Sequence, residues 1–249
     1  MEYLMVKPSL GSTLAFVAVV VAVSLSFPLA VWFASDPTRG ADAARRSALR
    51  ACGGTLLVLG VSAALAELGV LSRLPKGGGV MLYVLSCVGG ATALAFSDLG
   101  RRVASLLPLW ALCGFQLFRL PLELVLHQWY MEGVIPVQMS YAGHNFDILT
   151  GLLALSLAPF FYLGKLGRRA AWLFNLVGFG LLVNVASIAV RSSPVPLRTY
   201  TEEPAVLLAF HAPYTWILPI CVAGALFGHL VTFRRLVGAE RSVASTRAQ

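Results

Sequence analysis

Residues 11–33 read GSTLAFVAVVVAVSLSFPLAVWF and carry no charged side chain. A helix needs about 20 mostly apolar residues to cross a hydrocarbon core of about 30 Å, and this stretch is long enough. Six further runs of similar character follow, so that the candidate spans are roughly 11–33, 49–71, 80–97, 103–130, 146–163, 170–190 and 206–233. These runs lack the period-two alternation of membrane β-strands, so the backbone in lipid must be helical. The sequence therefore predicts an all-α, polytopic membrane helix bundle of about seven transmembrane helices.

Composition supports a single membrane domain. The chain has 249 residues, of which 58% are hydrophobic and 12% charged, whereas a soluble domain carries roughly 25% charged residues. We expect one transmembrane domain over residues 1–236 and a disordered cytoplasmic tail over 237–249. A cleaved signal peptide would remove the first span, but the apolar stretch exceeds the usual 7–15 residues and Glu2 offsets Lys7.

Basic residues alternate between the two ends of the predicted spans. Thirteen fall on one side: Arg39, Arg45, Arg46, Arg50, Arg101, Arg102, Lys165, Arg168, Arg169, Arg234, Arg235, Arg241 and Arg247. Five fall on the other: Lys7, Arg73, Lys76, Arg191 and Arg198. Lys and Arg accumulate in cytoplasmic loops, so the N-terminus is predicted outside and the C-terminus in the cytoplasm. The net charge of +8 lies in these short clusters and does not indicate nucleic-acid binding.

The fourth span carries a polar stripe. Gln116, Arg119, Glu123 and His127 are spaced i, i+3, i+7 and i+11, which places them on one side of a helix. Charged side chains inside a span usually face a bundle interior or a cavity. Counted from Arg102, Arg119 would lie roughly 25 Å up, in the outer quarter of the membrane. Alternatively, Arg119 extends to the outer headgroups with Glu123 as its i,i+4 partner.

Further polar residues are predicted at the same outer depth. They are His144, Asn145, Asp147, Asn184, His211 and Tyr214. The inner halves of the spans are poorer in polar residues, with Asn175 and His229 as the main exceptions. This asymmetry predicts a binding pocket in the extracytoplasmic half, lined by both groups of outer residues.

Metal binding is a weaker alternative. His127, His144 and His211, with Glu123 or Asp147, have suitable chemistry for zinc or copper. However, no HxxxH, HExxH or CxxC pair fixes two ligands on one turn, so no metal is predicted and the cofactor is unknown. Gly224 and Gly228 form a GxxxG pair that allows close helix packing, either within the chain or in an oligomer.

Two blocks of sequence carry a resemblance to a known group. The first comprises Phe118-Arg119-Leu120-Pro121-Leu122-Glu123, Glu132-Gly133, Gln138-Met139 and Gly143-His144-Asn145-Phe146-Asp147-Ile148-Leu149. The second runs from Glu203-Pro204 to Trp216-Ile217-Leu218-Pro219 and then Gly228-His229. Both blocks resemble an uncharacterised group of bacterial polytopic membrane proteins with no assigned activity. The resemblance implies a bacterial inner membrane and nothing about chemistry.

These observations leave three hypotheses about function. The first is a protein that binds or transports a small polar molecule or ion, with Arg119 as an anion-pairing group and Glu123 and His127 as partners or proton carriers. The second is an intramembrane enzyme that is metal-dependent or uses a carboxylate–histidine pair. The third is a structural or assembly partner of another membrane complex.

Overall fold

The fold is entirely helical in a computed structural model that describes residues 5–35, 40–73, 78–201 and 204–247. In chain order the helices are α1 Leu10–Phe33, α2 Ala41–Glu67, α3 Val70–Arg73, α4 Gly78–Phe96, α5 Asp98–Leu106, α6 Leu109–Phe115, α7 Arg119–Met131, α8 Ile148–Tyr162, α9 Arg168–Ser192 and α10 Ala223–Arg247. No strand occurs within these ranges. Some residues named above lie outside the described ranges. They are Glu2, Arg39 and Lys76 among the charged residues, Glu203 in the second block of the resemblance, and residues 248–249 of the predicted tail.

Six helical segments of the described chain are long and apolar enough to cross a membrane. They are Leu10–Phe33, Ala41–Glu67, Gly78–Phe96, Leu109–Met131, Arg168–Ser192 and Tyr214–Gly238. The all-α membrane-type architecture is therefore confirmed. The remaining predicted span, 146–163, corresponds to α8, which is apolar but has only 15 residues. A helix of that length covers about 22 Å.

The fourth span starts later than predicted. Residues 98–106 form the separate helix α5, which the Ser97 hydroxyl caps by accepting the backbone N–H of Gly100 at 3.3 Å. The chain is extended at Leu107, as expected for a residue before a proline, and the long helix begins only at Leu109. It consists of α6, a 3₁₀ turn at Gln116–Phe118 and α7. The predicted start at residue 103 was wrong because the apolar pattern continues across this break.

The correction moves Arg119 to the middle of its helix. Arg119 lies ten residues after Leu109 and twelve before Met131, which is about 15 Å from the helix start. The predicted outer-quarter position counted from Arg102 in α5, whereas counting from Leu109 places Arg119 near the middle of its segment. The residue therefore lies in the centre of the helical bundle.

Contacts between helix ends show that successive long helices run in opposite directions. The start of α1 meets the end of α7, where Ser9 donates its backbone N–H to Glu132 Oε2 at 2.9 Å. The Thr13 and Tyr214 hydroxyls hydrogen-bond at 2.9 Å at the same end, which we term the N-terminal face. At the opposite face, Arg234 donates to the Ser97 carbonyl at 3.1 Å.

The segment between α7 and α8 folds back into the bundle. Ile135, Met139 and Ser140 are at most 3% exposed, and residues 137–139 form a 3₁₀ turn. Irregular backbone at membrane depth is tolerated where protein buries it. Helix α8 then begins inside the bundle, because Gly151 in its first turn packs directly against the Leu120 backbone in α7.

The last long helix also departs from the prediction. The span was predicted to start at residue 206, but the long helix starts at Tyr214. It opens with a 3₁₀ turn at Tyr214–Ile217 and a π-helical turn at Leu218–Val222. Helix α10 continues to Arg247, so the backbone is helical through most of the segment predicted to be a disordered tail. The prediction missed this because the apolar pattern stops near residue 236, whereas helical hydrogen bonding needs no apolar face.

Candidate functional site

A buried ion pair occupies the centre of the bundle. Arg119 Nε donates to Asp147 Oδ2 at 2.6 Å, and Arg119 Nη2 contacts the same oxygen. Their side chains are 2% and 4% exposed. Asp147 directly precedes α8, and the Thr150 hydroxyl donates to Asp147 Oδ1 at 3.3 Å. The positive end of the α8 dipole adds to the favourable position of this carboxylate.

The guanidinium of Arg119 also reaches α9 and α10. Its Nη1 lies 3.2 Å from the Gly178 carbonyl oxygen and 3.1 Å from His229 Nε2. Because a guanidinium only donates hydrogen bonds, His229 Nε2 must accept and the imidazole is neutral with its proton on Nδ1. That proton is donated to Asn175 Oδ1 at 2.8 Å, and Asn175 Nδ2 donates to the His229 carbonyl at 3.1 Å. The contacts thus fix both the tautomer and the orientation of the ring.

Gly178 allows this close approach of α9 and α10. A Cβ atom at position 178 would lie 2.7 Å from His229 Cε1 and 2.9 Å from Thr150 Cγ2. Real Cβ atoms are not found at such distances, so a larger residue would displace the imidazole. The absent side chain also leaves the Gly178 carbonyl accessible to Arg119.

Glu123 lies beside the ion pair but is not part of it. Its side chain is buried, and Oε2 accepts from Asn145 Nδ2 at 2.7 Å. Asn145 Nδ2 also donates to the Met139 carbonyl at 3.0 Å, while Asn145 Oδ1 accepts the Asp147 backbone N–H at 3.1 Å. Between Glu123 and Arg119, both described, no ion pair forms. The i,i+4 pairing considered from the sequence was wrong because Arg119 extends across to α8 instead.

Six buried side chains thus form one connected group, which we term the central polar network. Its members are Glu123, Asn145, Asp147, Arg119, His229 and Asn175, and each residue as a whole is at most 3% exposed. Glu123 lies fourteen residues after Leu109, and Asn175 lies seven residues after Arg168. Because both counts start at the face opposite the N-terminal face, the two residues differ in depth by seven residues, roughly 10 Å. The network is closed to both faces in this structure. Extension of Arg119 to the headgroups is excluded by its burial.

Gln116 lies next to the network. Its Nε2 donates to the Ala225 carbonyl at 3.2 Å, and its buried Oε1 has no hydrogen-bond partner. A Cβ atom at Gly228 would lie 2.7 Å from Gln116 Nε2, and one at Gly224 would lie 3.5 Å from Val23. The GxxxG pair therefore packs within the chain, which leaves no room for a second chain at Gly228.

The remaining predicted residues lie towards the N-terminal face and do not join the network. His127 is half-buried, contacts the Ser140 hydroxyl through Nδ1 at 3.2 Å and stacks on Tyr141 at 4.2 Å. Asn184 donates its amide N–H to the His144 carbonyl at 2.9 Å. Tyr214 hydrogen-bonds to Thr13, and His211 is exposed.

Metal-binding geometry is also absent from the part of the chain that the structure describes. No three His, Cys, Asp or Glu side chains converge there as a metal site would require. Of the weak candidates, His127 contacts Ser140 and Tyr141. His144 stacks on Tyr200, and His211 is exposed.

Sequence reasoning missed His229 and Asn175 as members of the site. Both were noted as the polar exceptions of the inner halves, but the misplaced start of the fourth span put Arg119 too far from them. Thr150 and Gly178 were missed because an isolated Thr or Gly in an apolar helix gives no signal of its own. With the break at Pro108 recognised, Arg119, Asn175 and His229 would have fallen at comparable depth.

Together, the fold and the network define an all-α membrane protein with a charged, buried centre. Residues 78–237 match the model of a family described as Domain of unknown function (DUF8737), and the chain belongs to that family. This bears out the resemblance to an uncharacterised group. The match covers α4 to α9, most of α10 and every member of the central polar network. No curated protein and no solved structure matches the chain.

Proposed function

We propose that this protein crosses a bacterial inner membrane seven times and binds or transports a small polar molecule or ion at the central polar network. In this proposal α8 and the buried segment 132–147 together make the fifth crossing. The N-terminal face lies outside and the C-terminus in the cytoplasm. The alternating helix directions and the basic residues at the opposite face, such as Lys165 and Arg235, support this orientation.

The observation that carries the proposal is the Arg119–Asp147 pair at the centre of the bundle. Transfer of each ion from water to a nonpolar interior costs several kcal/mol, and apolar replacements are often as stable as a buried pair. Packing alone therefore gives no reason for charge at this depth. Ionisable residues inside membrane proteins commonly mark pathways for substrates or ions.

Broken helices around the network resemble the construction of transporter sites in general. The 3₁₀ turn at Gln116–Phe118, the start of α8 and the π turn at Leu218–Val222 interrupt three neighbouring segments. In secondary transporters such interruptions expose backbone groups and helix ends to the substrate. The irregular segment 132–147 offers the element that would move to open the network towards the outside.

The test uses a variant in which the ion pair is replaced as a unit. Arg119→Met/Asp147→Leu removes both charges, so neither is left buried and unpaired. Wild type and variant are reconstituted in proteoliposomes, and currents on a solid-supported membrane are recorded after jumps in small amino acids, sugars, organic acids and inorganic ions at constant pH. We expect at least one solute to give a current with wild type and none with the folded variant. Equal responses from both proteins would refute the proposal.

No contact within the described residues favours the enzyme or the assembly-partner hypothesis. An enzyme that depends on a metal would need the convergent ligands that the described chain lacks. Both hypotheses stay predictions from the sequence.

A further inference from the structure

The charges around Glu123 do not balance within the central polar network. Asp147 pairs with Arg119, and His229, across Arg119 on α10, is neutral because its Nε2 accepts from the guanidinium. From α9 the network receives two neutral groups, the Asn175 side chain and the Gly178 carbonyl. The remaining titratable group on the same stripe is His127, one helical turn further out. An ionised Glu123 would therefore add one unneutralised negative charge to a buried site, which costs several kcal/mol.

A bound proton or a bound metal cation could remove this excess charge, and the contacts of Glu123 favour the proton. Asn145 presents its amide N–H to Glu123 Oε2 at 2.7 Å, and its oxygen is turned away to the Asp147 backbone N–H. Hard metal cations are held by several oxygen ligands, whereas here an N–H donor occupies the position where such a ligand would stand. A protonated Glu123 can carry its hydrogen on Oε1 and keep Oε2 as the acceptor for Asn145.

We propose that Glu123 is the proton-carrying residue of the protein, loaded from the N-terminal face and exchanging its proton as the central polar network opens and closes. This inference rests on the proposed transport function and names the coupling ion. A proton that arrives neutralises Glu123, which permits the closed state seen here. A proton that leaves makes Glu123 a second carboxylate beside Asp147, which favours opening of the network to water.

The position of His127 indicates the route to Glu123. His127 is half-buried, lies four residues after Glu123 on the same stripe and contacts Ser140 Oγ at 3.2 Å. Residues four apart on a helix are surface neighbours, so His127 lies on the N-terminal side of Glu123 on one face of α7. In the proposed route, a proton passes from the N-terminal face by way of His127 and Ser140 to Glu123.

The experiment records the charge displaced when protons enter the membrane. Full-length protein in proteoliposomes on a solid-supported membrane is exposed to a rapid drop in pH without any solute. Because Glu123 lies eight residues before the Met131 end of its helix, about 12 Å from that end, its protonation from the N-terminal face moves charge through part of the membrane and gives a transient current. We expect this current in wild type and its loss in Glu123→Gln, an uncharged variant that keeps an oxygen acceptor for Asn145.

Two pairs of variants separate the proton site from general effects. The exposed Glu67→Gln should retain the wild-type current. His127→Gln should slow its rise at least several-fold, whereas His144→Gln, on the same face but off the stripe, should not. A pH-jump current that persists in a correctly folded Glu123→Gln, or no such current in wild type, would overturn the inference.

The two proposals fail in different ways. Solute currents without a pH-jump current would refute the role of Glu123 and leave transport standing. A pH-jump current without any solute response would refute solute transport and leave a proton-exchanging Glu123.

Discussion

Arg119 and Asp147 form the contact on which the centre of the bundle depends. Removing one partner of a buried ion pair leaves an uncompensated charge, which costs about 3–5 kcal/mol, whereas apolar replacement of both partners is often neutral. We expect Arg119→Met and Asp147→Leu each to lower the free energy of unfolding by about that amount and the double variant to recover most of the loss. Reversible unfolding in mixed micelles measures the free energy of unfolding of wild type, the two single variants and the double variant. Single variants as stable as wild type would show that the pair is not formed.

At the N-terminal face, Glu132 joins α1 to the end of α7. Burial alone raises the pKa of Glu132, but hydrogen bonds from the Ser9 backbone N–H, Gln128 and the Ser9 and Ser12 hydroxyls outweigh it and lower this pKa from 4.5 to about 2. A carboxylate with a depressed pKa stabilises the fold above its unfolded pKa and loses that effect as the pH falls through the folded value.

Wild type should therefore unfold at a higher temperature than Glu132→Gln above a pH of about 4.5, and the difference should shrink as the pH falls towards 2. Thermal unfolding of both proteins across this range measures the effect. A difference that is the same at both ends of the range would contradict the assigned contacts.

Close packing of α8 on α7 sets the depth at which α8 begins. A Cβ atom at Gly151 would overlap the backbone of Leu120, whereas one at the exposed Gly180 in α9 would meet nothing within 4 Å. Overpacking costs about 1–3 kcal/mol. We expect Gly151→Ala to destabilise by that amount or more and Gly180→Ala to have no adverse effect, as measured by unfolding in mixed micelles. Equal stability of the two variants would argue against the direct backbone contact.

Helix positions were largely predictable, but helix ends and partners were not. Hydropathy located α1 as 11–33 against the observed Leu10–Phe33, because apolar length alone defines such a span. The break at Leu107 and Pro108 was missed because apolar residues continue through it. In α2, helix begins at Ala41, ahead of the predicted residue 49, since the arginines that precede the apolar run are still helical.

For the site, the sequence identified the stripe but not its partners. The i, i+3, i+7 spacing placed Gln116, Arg119 and Glu123 on the buried side of their helix, and all three are at most 1% exposed. Periodicity describes one helix, however, and gives no information about which neighbour a long side chain reaches. The pairing of Arg119 with Asp147 rather than Glu123 depends on the segment 132–147 folding inward, which is a tertiary property.

On the scale of the whole molecule, the number of crossings depends on α8. Ala142 and Lys165 are exposed residues on either side of it. Ala142→Cys and Lys165→Cys are made after the four native cysteines, Cys52, Cys87, Cys113 and Cys221, have been replaced by alanine. If α8 and segment 132–147 make a crossing, an impermeant maleimide should label position 142 only from outside intact cells and position 165 only in inverted vesicles. Labelling of both positions from one side would reduce the crossings to six.

Access to the centre of the bundle from the outside is the most direct test of the account. Thr150 is fully buried and bonds to Asp147, and Ala154, also fully buried, lies one turn deeper in apolar surroundings on the same helix. In the cysteine-free protein we predict that an impermeant methanethiosulfonate reagent added outside intact cells modifies Thr150→Cys and not Ala154→Cys. Protection of both positions from outside, or modification of Thr150→Cys only from the cytoplasmic side, would contradict a binding site that opens to the N-terminal face.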